Sequence, residues 1–341
     1  MIEVIRDKEK WDSLIKKVED YDFYHTYDYH MISRSENETA VLLKYEENKV
    51  LIGVPLLIRN VFDTAYKDAT SVYGYAGPIS AGITADFDNR NFLSALEKYL
   101  KENNIVSIFS RLNPFILNQE RILKNYGEIF TQGKVVNIDL SLDMDIQRQN
   151  YQRRLKTHIN KSRRNCTIRR ALNDSDLQKF IDVYYENMDR VHAKKFYYFK
   201  EMYFKSMAKS NAFETETLLA VHTESNQVIA GSMFIKTNGI VQYHLSGTKN
   251  EFLQLMPTKL LIDEMRIRAT TEGFNFFNLG GGLKGDYNDS LFRFKSSFSK
   301  DFHDFNLWKL IVDHKAYQEL TSRIDPPNNT DFFPLYRVDV K

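Results

Sequence analysis

The first residue whose type and surroundings could do chemistry is a lysine in an aromatic setting. Lys295 stands in LFRFKSSFS, where Phe292, Phe294 and Phe298 are its near neighbours. A lysine among apolar residues commonly extends its ammonium to the surface. An ammonium that faces a cleft can instead stabilise the oxyanion that forms during acyl transfer. Lys295 is therefore a candidate catalytic group, with a surface position as the alternative.

A glycine cluster precedes this lysine. The run GGGLKG at 280–285 follows the strand-like FNFFNL at 274–279. A dinucleotide-binding loop needs GxGxxG opening a helix, and a P-loop ends in Gly-Lys-Ser/Thr, but DYNDS follows here. Two interpretations remain. The glycines form a tight turn with positive φ angles, or they keep a loop narrow so that a ligand can approach its backbone.

A basic segment lies near the middle of the chain. From Ile146 to Asn173 there is no acidic residue, and Tyr151 is the only aromatic one. The segment is either a solvated helix face followed by an edge strand or a surface for phosphates of RNA, a nucleotide or an anionic lipid. Few aromatics favour contact with phosphates over base stacking. The predicted phosphate-contacting residues are Arg153, Arg154, Lys156, Lys161, Arg163 and Arg164.

Other familiar kinds of catalytic site are not indicated. The eight histidines include no HExxH, and the chain has no GxSxG. The pattern therefore predicts neither a zinc centre nor a serine hydrolase, and no metal is expected. The single cysteine, Cys166, excludes an intrachain disulfide and a cysteine-rich zinc site.

Length and composition predict a folded, soluble protein of two domains. The chain has 341 residues, 43% of them hydrophobic and 13% aromatic, with a formal net charge of +2. Its first residues, MIEVIRDKEK, do not resemble a signal peptide, and no apolar run approaches the ~20 residues of a membrane helix. These features predict a cytoplasmic location.

The second half shows the clearer pattern of elements. A helix is predicted from Ser175, another over 199–210, and then strands at 216–223, 228–236 and 240–246 joined by ESNQ and TNG turns. A helix beginning at Pro257 and ending before Gly273 follows. The strand at 274–279 leads into the glycine cluster. This order predicts an antiparallel meander that places Lys295 behind its last strand.

The first half repeats this order more faintly. A helix around 11–18 precedes strands at 38–46 and 50–59, and the helix 89–104 precedes the strand 105–111. The repetition predicts an α+β fold made by structural duplication, with one domain over 1–145 and the other over 146–341.

Five motifs occur together in an order that resembles the Fem family. They are YGYAGP at 73–78, SRRNCTIRRA at 162–171, ENMDRVHAKKFYYF at 186–199, HLSGT at 244–248 and the FNLGGG…LFRFKSSFS ending. The Fem family comprises aminoacyltransferases of the GNAT superfamily that build interpeptide bridges on peptidoglycan precursors. The resemblance covers about residues 20–315. It implies two tandem GNAT-like domains, each a mixed, mostly antiparallel sheet flanked by helices; the chain has no insertion for a coiled-coil arm.

The resemblance also implies an activity. Fem proteins move an amino acid from aminoacyl-tRNA to an amine of a nucleotide-linked or lipid-linked muropeptide, without a metal or a cofactor. Aminolysis of the tRNA ester needs a free amine and stabilisation of the tetrahedral intermediate. Lys295, in the family's Phe-Lys position, would stabilise the oxyanion or orient the tRNA end. Peripheral contact with the inner membrane follows where the acceptor is carried on a lipid.

Five further site residues are implied by the resemblance. Lys194 and Tyr198, in AKKFYYF, fall where family members place a basic residue and a tyrosine on the precursor's diphosphate. An arginine is usual at the first position, so the lysine departs from the family there. Tyr73 and Tyr75 would line the precursor cleft, and Arg34 would make a second phosphate contact.

Two other functions stay open at this point. One is an acyl-CoA-dependent N-acyltransferase that modifies an amino sugar for an exported polysaccharide. The linker SGTKNEFLQLMP at 246–257 carries only Gly247, so a glycine-bearing pyrophosphate loop is not indicated. The other is a non-catalytic GNAT-fold module that binds RNA or an anionic membrane through residues 146–170.

Overall fold

The computed structural model describes residues 1–283, 289–324 and 330–338. The chain divides into two compact units. Unit 1 comprises Met1–Gln132 and Phe305–Lys341, and unit 2 comprises Gly133–Asp304. The predicted α+β class is confirmed, because mostly antiparallel strands flanked by helices make up both units. Gly285 of the glycine cluster lies outside the described residues.

Unit 1 is built on strands in the order β1-β2-β3-β4-β6-β13, with β5 paired to β3. All of these pairs are antiparallel except β4 with β6. Its core includes Trp308, Phe92 and Leu96. The elements are β1 (Ile2–Ile5), α1 (Lys8–Ile15), α2 (Tyr27–Ser33), β2 (Glu38–Glu47), β3 (Val50–Asn60), β4 (Lys67–Thr70), β5 (Ile79–Ala81), α3 (Arg90–Glu102), β6 (Ile105–Arg111), α4 (Gln119–Leu123), β13 (Asp301–Ile311, which begins in unit 2) and α11 (His314–Thr321).

Unit 2 has the strand order β7-β12-β11-β10-β9-β8. The predicted meander is confirmed, since β9, β10 and β11 pair antiparallel, while β11 and β12 are parallel. The elements are β7 (Glu128–Asp139, which begins in unit 1), α5 (Met144–Gln149), α6 (Arg153–Asn165), β8 (Cys166–Arg170), α7 (Asp174–Arg190), α8 (Glu201–Lys209), β9 (Glu214–His222), β10 (Val228–Thr237), β11 (Ile240–Thr248), α9 (Pro257–Thr271), β12 (Phe276–Gly281) and α10 (Ser290–Lys295).

Local sequence signals explain the boundaries of these elements. Asn173 caps α7 by accepting a hydrogen bond from the Asp176 amide at 3.0 Å. Asn238 and Gly239, both with positive φ, make the two-residue turn between β10 and β11. The helix α9 begins at Pro257, and Gly273 follows its end with a φ of +82°.

The compact units do not coincide with the predicted domains 1–145 and 146–341. Residues 133–145 belong to unit 2, and residues from 305 onward belong to unit 1. The second difference has a direct cause, because Leu307 to Ile311 of β13 pair with Arg111 to Ser107 of β6. The chain therefore leaves unit 1 once and returns to it, which a division at one point cannot represent.

Candidate active site

The two parallel strands of unit 2 separate near their middle. β11 and β12 pair at only three positions, the last being Gln242 with Asn278, although both described strands continue beyond it. Beyond that pair β12 stays paired only with β7 on its other side, with Gly280 opposite Val136. Residues 243–246 of β11 are half-buried, whereas the rest of that strand is buried. A gap, the strand gap, therefore opens between β11 and β12 beyond Gln242 and Asn278.

Both strands carry a β-bulge where the strand gap begins. On β11 the register shifts so that Tyr243 and Leu245 oppose consecutive residues of β10, leaving His244 as the extra residue. On β12 the register with β7 shifts between Asn278 and Gly280. Bulges redirect side chains and end regular pairing, and they are common beside active sites. The strand gap is thus built into both strands.

Buried amides fix the point of separation. The Asn278 side chain donates to Gln242 Oε1 at 2.9 Å across the two strands, and its Oδ1 accepts from the Gly280 amide at 2.8 Å. Both amide side chains are buried. Buried amide groups need hydrogen-bond partners. These bonds therefore hold the last paired position of β11 and β12, and the bulge of β12, in one geometry.

Lys295 lies at the end of β12 in space. Its side chain is 9% exposed, and its Nζ donates to the Gly281 carbonyl oxygen at 2.8 Å. The helix α10 that carries it is capped by Asp289, which accepts from the Leu291 amide at 2.6 Å and from the Leu283 amide at 2.7 Å. The predicted alternative of a surface lysine is therefore wrong, because its ammonium is held against the backbone that follows the strand gap.

Burial lowers the pKa of the Lys295 ammonium to about 8, against the opposing attraction of Asp289. The group is still mostly protonated at neutral pH. It is also poorly hydrated, so its charge acts through a low dielectric on anything that comes near. A transient oxyanion next to it would be stabilised more than in water.

A histidine and a tyrosine lie beside the strand gap on β11 and α8. His244 Nε2 and the Tyr203 hydroxyl are 2.7 Å apart, and their rings are stacked with centroids 6.1 Å apart. Burial lowers the pKa of His244 to about 3, so its imidazole is neutral near pH 7. The sequence contained no metal or triad spacing that would have singled out this pair; the β-bulge at His244 becomes apparent only from the strand register.

The basic segment includes part of α5, the helix α6 and the strand β8, and Leu155, Ile159 and Ser162 of α6 are buried. Arg163 of α6 forms an ion pair within unit 2, because its guanidinium lies 2.9 Å from the buried carboxylate of Asp263. Two of the predicted phosphate-contacting lysines donate to carbonyl oxygens: Lys156 to Gln149 at 3.2 Å and Lys161 to Gln254 at 3.1 Å. The other predicted contacts on α6, Arg153, Arg154 and Arg164, are exposed.

The start of α6 contacts the residues just after Lys295. The Gln152 amide donates to the Ser297 carbonyl oxygen at 2.9 Å, and the rings of Tyr151 and Phe298 meet edge to face at 5.3 Å. The structure therefore brings the basic helix and the Lys295 segment together within unit 2.

The two predicted diphosphate contacts lie between α7 and α8. Lys194 is exposed, and Tyr198 donates its hydroxyl to Asp189 at 2.8 Å while its ring stacks on Tyr185 with centroids 6.3 Å apart. The remaining three predicted site residues are in unit 1. They are the exposed Arg34, which donates to the Glu38 carbonyl oxygen at 3.0 Å, the exposed Tyr73, and the half-buried Tyr75, whose ring meets those of Tyr24 and Phe305.

Within the described ranges, no group of three or more His, Cys, Asp or Glu side chains is arranged to hold a metal ion. Cys166 is buried, and burial raises the pKa of its thiol. No helix in the described part of the chain combines the length and apolar composition needed to cross a bilayer.

Comparisons with known proteins agree with the resemblance seen in the motifs. Residues 205–305 match the FemAB family. This range contains β11, β12 and Lys295, and hence the whole strand gap. No curated protein sequence matches the chain.

Solved structures share the fold. The crystal structure of FemX has a TM-score of 0.70 with 12% sequence identity, covering 93% of this chain and 99% of that one. The L-PGS structure from Bacillus licheniformis has a TM-score of 0.58 with 12% identity, covering 93% and 96%. The C-terminal domain of a putative lysylphosphatidylglycerol synthetase from Agrobacterium fabrum has a TM-score of 0.58 with 11% identity, covering 90% and 92%.

At these sequence identities, the solved structures show only that the fold is shared. The match of residues 205–305 is the evidence for the family. The FemAB-family pattern thus covers residues 205–305, and the fold of the chain is similar to that of FemX.

Proposed function

We propose that the protein transfers an amino acid from aminoacyl-tRNA to an amine of a peptidoglycan or surface-glycan precursor. The observation that carries the proposal is the buried Lys295 ammonium, held 2.8 Å from Gly281 O where β12 leaves the strand gap. The FemAB-family match over 205–305 includes this arrangement.

The chemistry asks little of side chains. The acceptor amine attacks the ester carbonyl of the donor, a C–N bond forms, and the carbonyl oxygen becomes an oxyanion. The ester C–O bond then breaks, and the proton lost by the amine goes to the departing ribose oxygen. Lys295 would stabilise the oxyanion. Formation of the oxyanion is the step at which a fixed positive charge has the largest effect.

The proposed binding surface for the donor tRNA is on α6. Arg153, Arg154 and Arg164 are exposed cations on a helix whose N-terminal end contacts the Lys295 segment. We propose that these three arginines contact tRNA phosphates. Lys156 and Lys161 would do the same, because their ammonium groups can leave their backbone carbonyl partners and bind a phosphate instead. Arg163 has a different part, since its bond to Asp263 fixes α6 against α9.

The proposed binding site for the acceptor precursor consists of residues that the Fem resemblance implied. Lys194 and Tyr198 would contact the diphosphate of the precursor, Tyr73 and Tyr75 would line its cleft, and Arg34 would hold a second phosphate. The exposure of Lys194, Arg34 and Tyr73 is compatible with these assignments.

An acyl-CoA donor is less well supported. Gly247 is the next-to-last residue of β11, and a Cβ there would lie 2.5 Å from the Val183 carbonyl oxygen, so this glycine is needed for packing against α7. The linker from β11 to α9 has no further glycine for close approach to a pyrophosphate.

The experiment is a transfer assay with purified protein. Charged tRNA and acyl-CoA are compared as donors, each with nucleotide-linked muropeptide and amino-sugar acceptors. The proposal expects product with charged tRNA, and an affinity for tRNA that falls with salt by about 0.9 or less per phosphate contact in the log-log slope. Product with acyl-CoA alone would support the N-acyltransferase. Salt-dependent tRNA binding without transfer to any acceptor would support a binding module.

A further inference from the structure

The segment 191–202 of unit 2 presents apolar side chains to solvent. It runs from the end of α7 to the first turn of α8, and Val191, Phe196 and Met202 are 50%, 58% and 68% exposed. Isolated exposed apolar residues are normal, but several large ones in one short segment point to an interaction surface.

This exposure belongs to a well-fixed backbone. The hydroxyl of Tyr184 donates to the Tyr197 carbonyl oxygen at 2.6 Å, and that of Tyr185 donates to the Phe199 carbonyl oxygen at 2.6 Å. Both tyrosines stand on α7, so the segment is anchored to that helix at two points. Its apolar side chains therefore face outward as part of the folded structure.

The same segment is positively charged. Lys194, Lys195 and Lys200 are exposed. The nearest acids on either side are Asp189, which accepts a hydrogen bond from the Tyr198 hydroxyl at 2.8 Å, and Glu201, whose charge is paired with Lys205 at 2.5 Å. Lysines interleaved with aromatic and aliphatic side chains match the two layers of an anionic membrane surface, which are phosphates outside and acyl chains beneath.

Nucleic acid fits this surface less well. Phe196 could stack on a base, but Val191 and Met202 have no ring, and burying them against RNA would gain little. The exposed face of α6 provides the contrast, since it is polar and basic and carries no comparable apolar group apart from Ile146 on the preceding helix.

We propose that segment 191–202 docks the protein on an anionic membrane surface. Val191, Phe196 and Met202 enter the headgroup region, and Lys195 and Lys200 lie against lipid phosphates. This docking goes beyond the transfer reaction, because it concerns where the protein works and holds for either class of acyl donor.

The experiment measures partition of the full chain onto vesicles, without donor or acceptor, so that a failure of the transfer hypothesis does not affect it. The vesicles are phosphatidylcholine alone or with about one third phosphatidylglycerol. Two variants test the two layers: Phe196→Ser with Met202→Ser, and Lys195→Gln with Lys200→Gln. The matched control is Leu117→Ser with Lys98→Gln in unit 1, because Leu117 is 67% exposed, much like Met202.

We expect binding to the anionic vesicles only. The lysine pair should lower the partition coefficient about thirty-fold, which corresponds to about 1 kcal/mol for each lysine near the surface. The apolar pair should lower it at least about tenfold. The control should bind like the unaltered protein, and circular dichroism and thermal melting verify that all variants fold.

A gain of signal provides the second measurement. The two native tryptophans, Trp11 and Trp308, are fully buried, so a tryptophan at position 196 reports on its own surroundings. The Phe196→Trp emission should shift to shorter wavelength with anionic vesicles and be quenched by brominated lipid.

Two results would overturn the proposal. They are no partition of the unaltered chain onto anionic vesicles, and a Phe196→Ser/Met202→Ser variant that partitions normally. If that variant also weakens tRNA binding, the segment is an RNA surface.

Discussion

The described residues of each unit contain one pair of adjacent parallel strands, β4 with β6 in unit 1 and β11 with β12 in unit 2. In unit 1 the chain that leaves β4 stays bonded to β6, as the Ser71 amide donates to Phe109 O and the Ala76 amide to Arg111 O, both at 2.9 Å. In unit 2 the pairing stops at Gln242 and Asn278. The same strand arrangement is thus closed by its own loop in one unit and open in the other.

The closure in unit 1 uses up the polar side chains. Gln119 donates to the Ala76 and Pro78 carbonyl oxygens at 2.8 and 3.0 Å, and Asn113 donates to the Tyr75 carbonyl oxygen at 3.0 Å. These two side chains hold the loop in place. Because they already have hydrogen-bond partners, they are not available to bind a substrate. At the strand gap of unit 2, by contrast, Lys295 and His244 lie beside half-buried backbone. The comparison supports the proposal that the chemistry takes place in unit 2 and that the junction in unit 1 is structural.

The largest expected effect is at the open junction. Lys295→Met should lower the single-turnover transfer rate about 10²–10³-fold, as loss of one oxyanion-stabilising group does elsewhere. It should not lower the free energy of unfolding, because it removes a charge whose burial is unfavourable. Arg293→Met, an exposed neighbour on α10, is the matched control and should keep its rate. Equal rates for both variants would contradict the assignment.

At the closed junction, a substitution should affect stability instead. Gln119→Ala removes three buried hydrogen bonds, to the carbonyl oxygens of Ala76 and Pro78 and from the amide of Asn113. We expect the free energy of unfolding, measured with urea, to fall by about 3 kcal/mol. The rate of the chemical step in folded protein, measured at saturating acceptor, should change less than about twofold. A rate loss as large as that of Lys295→Met would break the comparison.

Acid should weaken unit 1 through two buried histidines. Burial lowers the pKa of His25 to about 4 and of His30 to about 3. Below the unfolded value near 6.5, the unfolded chain binds protons that the folded chain refuses, so stability falls as the pH falls. Each histidine contributes a slope approaching about 1.4 kcal/mol per pH unit. Hydrogen exchange of β4 and β6 amides between pH 6.5 and 5 measures this, and undiminished protection would contradict it.

The smallest effect concerns the histidine beside the strand gap. Tyr203→Phe removes the hydroxyl 2.7 Å from His244 Nε2 and should lower the transfer rate about fivefold by loosening that side chain. Tyr185→Phe is the matched control, since it also removes one hydroxyl hydrogen bond from the same group of aromatic residues, but at the Phe199 carbonyl oxygen. If both variants lose stability alike and neither loses rate, His244 serves packing only.

Much of the fold could be predicted from the sequence because the signals were local. Capping at Asn173, the Asn238-Gly239 turn, and the boundaries of α9 at Pro257 and Gly273 follow from residue types and their neighbours. The segment 305–341 could not be placed in that way. Its membership of unit 1 depends on β13 pairing with β6, a contact far apart along the chain.

The candidate site divides in the same manner. Lys295 could be picked out because a lysine among phenylalanines is unusual, but its burial and its bond to Gly281 depend on the packing of α10 against β12. His244 was not recognised, since a β-bulge is a property of two paired strands. Arg163 was grouped with the phosphate contacts because the segment has no acid of its own; its partner, Asp263, comes from α9.

The pH dependence of transfer tests the central claim most directly. The acceptor amine must be unprotonated to attack, so the single-turnover rate is divided by the unprotonated fraction of that amine at each pH. If the protonated Lys295 at the strand gap stabilises the oxyanion, this normalised rate should fall as the pH rises through about 8, where burial sets the pKa of this group. In Lys295→Arg the guanidinium stays charged, so the fall should disappear even if the rate is lower. A normalised rate that stays level or rises through pH 8 in the unaltered protein, or a fall that persists in Lys295→Arg, would contradict the account.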